Sequence, residues 1–368
     1  MNFSFNLPVR IVSGVDCIKG NAPLLCIGKH ALIVTGKNGA KKSGALDDVV
    51  EVLSANGIGY TVFDEITENP PIETCFKGGM LGAELGADFI IGIGGGSALD
   101  AAKAIAAFSA NPSIAPMDIY DPQKRTSSSL PIIAIPTTSG TGSEVTSFSI
   151  LTHDGVKHAL IDPSIRPDYA ILDPVLLQNL PKKLIAESGM DAVCHCIEAA
   201  AAKNSNAITL ALASHGLKLL LNHLPLSFDG SQCSREAVHI AAAMAGMAFE
   251  NAGLGAVHAL AHALGGAHHV PHGRLCGILL PHVMEANAHA VYAELAAICG
   301  MASALQLRRA IISLRRHLQL PASLKDAGIG ELDTDAIVCA AMKDPCIAGN
   351  PTAVTVEFLH RILKEAAG

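Results

Sequence analysis

The stretch Ala87-Asp88-Phe89-Ile90-Ile91-Gly92-Ile93-Gly94-Gly95-Gly96-Ser97 decides the fold. Its first half is a short apolar run without alternation, the pattern of a strand buried on both faces. It passes directly into glycines. ALDAAKAIAAFSA (98–110), a run of strong helix formers, comes next. Strand, glycine loop and helix open a βαβ unit. The same alternation repeats outward. ALIVTG (31–36), GYTVFDE (59–65) and LPIIAIPTT (130–138) read as strands. GALDDVVEVLSAN (44–56) places Leu46, Val49, Val50 and Leu53 on one helical side, and residues 72–86 read as a helix closing on Gly86. Strands expected around 148–152, 157–161 and 169–172 complete one doubly wound α/β sheet.

After DPVLLQNLP (173–181) the texture changes. Long Ala/Leu-rich helical stretches dominate, such as AITLALASHGLKLLLNHL (207–224) and YAELAAICGMASAL (292–305), and no convincing strand follows Lys182. The expected layout is an α/β domain over 1–180 and an all-helical domain over 181–368.

Composition narrows the function. The chain has 368 residues, 50% apolar and 16% charged, with mean hydropathy +0.37, which excludes a disordered chain. Aromatics are only 4% and Trp is absent, so small and aliphatic residues must build the core. The charge is 26 − 33 = −7, which argues against electrostatic binding of nucleic acid. None of the ten cysteines forms a CxxC pair, as expected of thiols in a reducing cytosol. Cys194 and Cys196 are spaced by two positions, too close for the usual zinc-thiolate pair. The start, MNFSFNLPVRIVSG, lacks the pattern of a signal peptide. The apolar stretch 241–270 is interrupted by Glu250, Asn251, His258 and His262, which would be costly in lipid, so it reads as buried helices of a soluble protein.

Two loops carry candidate chemistry. Gly92-Ile93-Gly94-Gly95-Gly96-Ser97 lets the backbone approach an anion at a helix N-terminus, with Ser97 as N-cap or phosphate contact. It is neither the Rossmann fingerprint nor a P-loop. The plainer alternative is a tight turn. Pro136-Thr137-Thr138-Ser139-Gly140-Thr141-Gly142-Ser143-Glu144 is dense in hydroxyls and also follows a buried strand, where ligands of parallel sheets bind. Here the plainer alternative is a Ser/Thr turn before a helix.

Histidine is the unusual entry in the composition. Six of the 16, His258, His262, His268, His269, His272 and His282, lie within 25 residues. His258 and His262 are spaced i, i+4, as are Asp191 and His195, so each pair shares a helix face. Burying several polar rings requires partners. Imidazoles with one carboxylate suit Zn²⁺ or Fe²⁺ better than Mg²⁺ or Ca²⁺, but spacing alone does not decide which histidines bind.

Together, GIGGGSALDAAKAIA (92–106), PTTSGTGSEVT (136–146), GMDAVCHCIEA (189–199) and NAGLGAVHALAHALGGAHHVPHG (251–273) resemble the iron-containing (group III) alcohol dehydrogenases, with the dehydroquinate synthase-like fold. The resemblance implies an N-terminal dinucleotide-binding domain and a C-terminal metal-binding catalytic domain. It implies Asp191, His195, His258 and His272 as metal ligands, and His262 as a nearby group that positions substrate or passes a proton. It puts Gly94, Gly95, Gly96 and Ser97 on the cofactor pyrophosphate and counts Asp100 among the cofactor-binding residues. Thr137, Thr138, Thr141, Ser143 and Thr146 would lie along the cofactor, Lys157 near the nicotinamide ribose and Asn69 near the adenosine half. Phe148 and Phe249 would line the substrate pocket. The implied cofactors are Fe²⁺, with Zn²⁺ an alternative, and NAD or NADP. The implied substrate is a short-chain alcohol, diol or aldehyde, and the implied assembly a cytoplasmic homodimer or larger homo-oligomer without membrane or nucleic-acid partners.

Departures sharpen the expectation. Gly36 stands where many NAD-preferring relatives carry an Asp that repels a 2′-phosphate, and Lys37 follows it, so NADP should be accepted. Arg274 is atypical and has no functional reading from sequence; His268 and His269 are extra imidazoles. Glycerol dehydrogenase-like polyol oxidation and a dehydroquinate synthase-like cyclase or lyase are the competing chemistries. The latter handles a polyanion, yet 250–273 contains no Lys or Arg. A binding protein without chemistry is the third class, and the complete Asp/His set argues against it.

Overall fold

The structure is a computed structural model, and it describes residues 2–125 and 128–368. The chain divides into two compact units. An α/β unit comprises Leu7–Thr138 and Gly142–Leu180. A helical unit comprises Pro181–Gly368, the residues up to Asn6, and the short insertion Ser139–Thr141.

Eight strands occur among the described residues: β1 (Arg10–Ser13), β2 (His30–Gly36), β3 (Gly59–Ile66), β4 (Phe89–Gly94), β5 (Ile132–Pro136), β6 (Phe148–His153), β7 (Val156–Ile161) and β8 (Tyr169–Leu172). Six form one sheet in the order β1-β8-β5-β4-β2-β3, and every neighbouring pair is parallel. Residue parity assigns the faces. Ala31, Ile33, Phe89, Ile91 and Ile93 pack on one side with Leu46, Val49 and Leu53 of the Ala45–Ala55 helix. Leu32, Val34 and Ile90 pack on the other, against Ile105 and Phe108 of the Gly96–Ala110 helix. Burial on both faces is why these strands lack alternation. The order in which the chain adds strands reverses between β2 and β4, so their carboxyl ends, at Gly36 and Gly94, flank the topological switch point where such sheets bind ligands.

Two readings from sequence need correction, and one strand was missed. The strands at 148–152 and 157–161 do not join the main sheet; β6 and β7 form a separate antiparallel hairpin. Its two-residue turn is Asp154-Gly155, with φ of 47° and 77°, the geometry that Asp-Gly turns favour. The stretch 292–305 is not one helix. Val291–Ile298 and Ala304–His317 are separated at Gly300, whose φ of +77° ends the first. The short edge strand β1 was not anticipated.

The helical unit is led by Lys182–Ala201, Ala207–Phe228, Gln232–Ala252, Ala256–His268 and His272–Asn287. No single helix among the described residues is long and apolar enough to cross a membrane. The apolar stretch 241–270 is broken, because its two helices meet at a bend of 105°.

Small residues set the helix spacing. The Ile72–Glu84 helix meets the Gly96–Ala110 helix through Gly78, Gly79 and Gly82. A Cβ added at Gly79 would sit 2.2 Å from Phe108 Cβ and 3.1 Å from its backbone carbon. Gly79→Ala should therefore destabilise the protein by about 1–3 kcal/mol through overpacking. Urea unfolding checks this: an unchanged midpoint would show that the two helices can part without cost.

Candidate active site

In the helical unit, three helices converge on one carboxylate. Asp191, His195 and Glu198 lie at i, i+4 and i+7 on the Lys182–Ala201 helix, hence on one face. The Ala256–His268 helix contributes His258 and His262. The His272–Asn287 helix contributes His272 and, one turn on, Cys276. Asp191 Oδ1 lies 3.9 Å from His195 Nε2, 3.7 Å from His258 Nε2 and 3.4 Å from His272 Nε2. Cys276 Sγ is 3.6 Å from the same oxygen. The structure thus gathers Asp191, His195, His258 and His272, and it adds Cys276.

The electrostatics suit a cation. Burial would raise the Asp191 carboxyl, but the imidazoles of His195, His272 and His258 overcome it and hold the group far below the usual carboxylate range. Burial pushes His195 down to about 4, against the pull of Asp191, so that ring is a neutral donor. His258 goes the other way. Burial lowers its pKa, yet Cys276, Asp191 and Glu198 together raise it well above normal. The surroundings of that ring therefore favour a positive charge. Its Nε2 is buried and makes no hydrogen bond. Oxygen and imidazole donors around a buried, unsatisfied ring nitrogen fit a divalent metal such as Fe²⁺ or Zn²⁺.

A second layer fixes the rings. His258 Nδ1 donates to Glu198 Oε2 at 2.5 Å, and Glu198 Oε1 accepts from the Val257 amide at 2.8 Å. The N-cap of the His258 helix is Gly255, which offers no side-chain cap. Glu198 and Asn350, which accepts from the Ala256 amide at 3.2 Å, replace it. His195 Nδ1 donates to Gly140 O at 3.3 Å, and its ring stacks on Phe249 at 4.5 Å. His262 donates from Nδ1 to Asp344 Oδ2 at 2.8 Å and stacks on His272 at 5.1 Å. Burial would raise Asp344, but the His262 bond brings it down to about 2.

Arg274 gains a structural account: its Nε donates to Glu187 Oε1 at 2.5 Å, tying the start of its helix to the Asp191 helix. His268 ends the Ala256–His268 helix, and His269 is its left-handed C-cap with φ 54°.

In the α/β unit, the two loops meet at the end of β4. Thr137 N donates to Gly94 O at 2.9 Å, and a Cβ added to Gly95 would lie 3.1 Å from Thr138 Oγ1. The N-cap is Gly95, not Ser97, so the first-turn amides of the Gly96–Ala110 helix have no side-chain cap. Such amides suit a phosphate. Asp100, Ser143 and Thr146 lie behind this surface in a buried network. Ser143 Oγ donates to Asp100 Oδ1 at 2.6 Å, and the fully buried Lys103 Nζ donates to Ser143 Oγ at 2.7 Å, Thr146 Oγ1 at 3.3 Å and Phe148 O at 2.7 Å. Lys157 sits on β7 opposite Thr152. Thr141 belongs to the helical unit. Asn69 has φ 51°, and Lys37 is exposed just after β2.

Sequence reasoning missed Glu198, Asp344, Cys276, Gly140 and Lys103. Two carried a signal: Cys276 is i+4 from His272, and Lys103 is the one base in the Ala-rich helical run 98–110.

Comparison with known proteins completes the picture. The profile described as "Iron-containing alcohol dehydrogenase" matches residues 8–174, and that of the "Fe-containing alcohol dehydrogenase family, C-terminal" matches 185–367. An "NADPH-dependent butanol dehydrogenase" of Clostridium saccharobutylicum is 36% identical over 377 residues, covering 98% of this chain and 97% of its own. The solved iron-containing alcohol dehydrogenase of Thermotoga maritima superposes with a TM-score of 0.90 at 30% identity, covering both chains fully. Sulfoacetaldehyde reductase from Bifidobacterium kashiwanohense, solved with NAD⁺, gives 0.91 at 28% identity, covering 100% of this chain and 99% of that one. With profiles spanning both halves and the Asp/His cluster assembled, the chain belongs to the iron-containing alcohol dehydrogenase family, an NAD(P)-linked family of oxidoreductases.

Proposed function

We propose that this protein interconverts short-chain alcohols or diols and their aldehydes, with Asp191, His195, His258 and His272 holding the metal. The observation that carries this reading is the convergence of three imidazole Nε2 atoms on one buried carboxylate oxygen. When bound, the ion supplies Lewis-acid polarisation of a substrate oxygen, and the nicotinamide supplies or accepts hydride. His262, with Nδ1 committed to Asp344, uses Nε2 to hold or move the proton that the substrate oxygen gains or loses. Phe249, stacked on His195, lines the substrate side.

Residues 1–180 act as the dinucleotide-binding domain and 181–368 as the catalytic domain. Gly94, Gly95, Gly96 and Ser97 receive the pyrophosphate on uncapped helix amides. Thr137, Thr138 and Thr141 run along the cofactor, Lys157 reaches its ribose and Asn69 its adenosine half. Asp100, Ser143 and Thr146 serve it by holding the loop in place through Lys103. Gly36 and Lys37 admit a 2′-phosphate. The ten free thiols suit the cytoplasm, and the working assembly is a homodimer or larger.

An anaerobic panel of short aldehydes with NADH and NADPH, after loading with Fe²⁺ or Zn²⁺, tests the activity. NADPH should be used at least as well as NADH; about a hundredfold advantage for NADH in kcat/KM would reverse the reading of Gly36 and Lys37. His258→Ala should lose metal and turnover together. His262→Ala should keep the metal while kcat falls about 100- to 10,000-fold. Equal metal loss in both variants would overturn this division of roles. Glu198→Gln should weaken metal binding about 10- to 100-fold without unfolding the protein. Metal retained against a graded chelator series measures it, and native-like retention would make Glu198 a helix cap only.

A further inference from the structure

His239 lies on the Gln232–Ala252 helix, 1% exposed, and belongs to none of the motifs that mark metal or cofactor residues. Its Nδ1 is 2.9 Å from Ser139 Oγ, which is also buried. Its Nε2 is buried and has no hydrogen-bond partner. An apolar side chain would avoid the penalty of that orphaned nitrogen, so what the imidazole contributes is the bond to Ser139. We propose that His239 is a positioning residue for the metal centre: by fixing Ser139 it holds the adjoining Gly140 carbonyl against His195. The proposal rests on reading the Asp191 cluster as that centre.

The path of the chain carries it. Ser139–Thr141 is a short insertion in the helical unit, while the residues up to Thr138 and again from Gly142 belong to the α/β unit. The insertion forms neither helix nor strand. Among the described residues, Ser139 and Gly140 take part in no backbone–backbone hydrogen bond. Side chains must therefore hold them. Ser139 is tied to His239, and Gly140 O accepts from His195 Nδ1 at 3.3 Å. That second bond lies just beyond the usual span of about 2.7–3.2 Å, so a small shift of the carbonyl would break it. Gly140 also meets the Asp191 helix at backbone distance, since a Cβ there would lie 2.6 Å from Ser188 O. Ser139 and Gly140 are consecutive, so the anchor stands one residue from the carbonyl it places.

The helix of His239 also carries Phe249, whose ring stacks on His195 at 4.5 Å. One helix thus steadies His195 twice, directly through Phe249 and indirectly through Ser139 and Gly140. Burial pushes the His239 pKa down to about 4, so the ring is neutral and anchors the loop without adding charge. The rival role is a core histidine that only satisfies a buried serine. That role predicts a loss of stability with no change in metal affinity.

Zn²⁺ affinity of the folded whole protein, read in a graded chelator series, tests the proposal. His239→Ala should keep its fold by circular dichroism yet bind Zn²⁺ about tenfold more weakly or worse. Ser139→Ala should do the same, and the double variant should lose no more than either single one, because both break one link. Asparagine carries its polar atoms near the place of Nδ1, and glutamine near that of Nε2. His239→Asn should therefore recover most of the native affinity, and His239→Gln should not. Native affinity in folded His239→Ala, losses that add in the double variant, or an Asn variant as weak as the alanine one would each overturn the positioning role while leaving the metal centre standing. Greater recovery by Gln than by Asn would do so too. A native protein that binds no Zn²⁺ would overturn the centre and the proposal together. Should His239→Ala fail to fold, Ser139→Ala, which removes one hydroxyl, decides alone: native affinity refutes the proposal and a tenfold loss supports it.

Discussion

One constraint organises the helical unit: a carboxylate, Asp191, is held at 5% exposure among apolar helices. An ionised acid there is expensive unless positive charge or donors surround it. Three imidazoles from three helices meet that need, and their electrostatics keep the acid ionised. The same clustering brings nitrogen donors face to face, which is unfavourable without something between them. A divalent cation held there would resolve both problems, since it would neutralise the carboxylate and give each ring nitrogen an acceptor for its lone pair. The contacts that would hold the metal are the ones that tie the helices together.

Three histidines in the cluster are steered by what their Nδ1 atoms touch. His195 gives that proton to a backbone carbonyl, His258 to Glu198 and His262 to Asp344. Committing Nδ1 as donor leaves Nε2 as the free lone pair. The partners differ in strength. A neutral carbonyl orients His195, while carboxylates place negative charge behind His258 and His262. The difference sets one imidazole type in distinct electrostatic surroundings.

The sequence made some of this plain and concealed the rest for a physical reason. Buried parallel strands and the glycine loop were legible because their signal is local: apolar runs of five or six residues, then Gly94-Gly95-Gly96. Asp191 with His195, and His258 with His262, were legible because helical spacing puts each pair on one face. Their partners were not. Glu198 meets His258 across 60 residues, Asp344 meets His262 across 82, and Gly140 meets His195 across 55 through a carbonyl that any residue would carry. No periodicity encodes such pairings. The misplaced β6 and β7 were a different failure, because Asp154-Gly155 did announce a hairpin and the alternation of the α/β pattern overrode it.

The aromatic-poor, small-residue composition follows from the same centre. The Asp191 helix is approached at backbone distance from several sides. A Cβ on Gly273 would lie 1.9 Å from Glu187 O, one on Gly140 2.6 Å from Ser188 O, and one on Gly255 2.9 Å from Glu198 Oε1. Those glycines neighbour His272, supply the carbonyl that accepts from His195, and open the helix of His258. The ligands are short, and imidazole rings reach a shared point only when their helices nearly touch. Larger side chains at these positions would push the helices apart and open the cluster to water, weakening its electrostatics. Burial here comes from backbones in contact rather than from bulky rings, so a chain with no tryptophan still buries Asp191, His195 and His258 together.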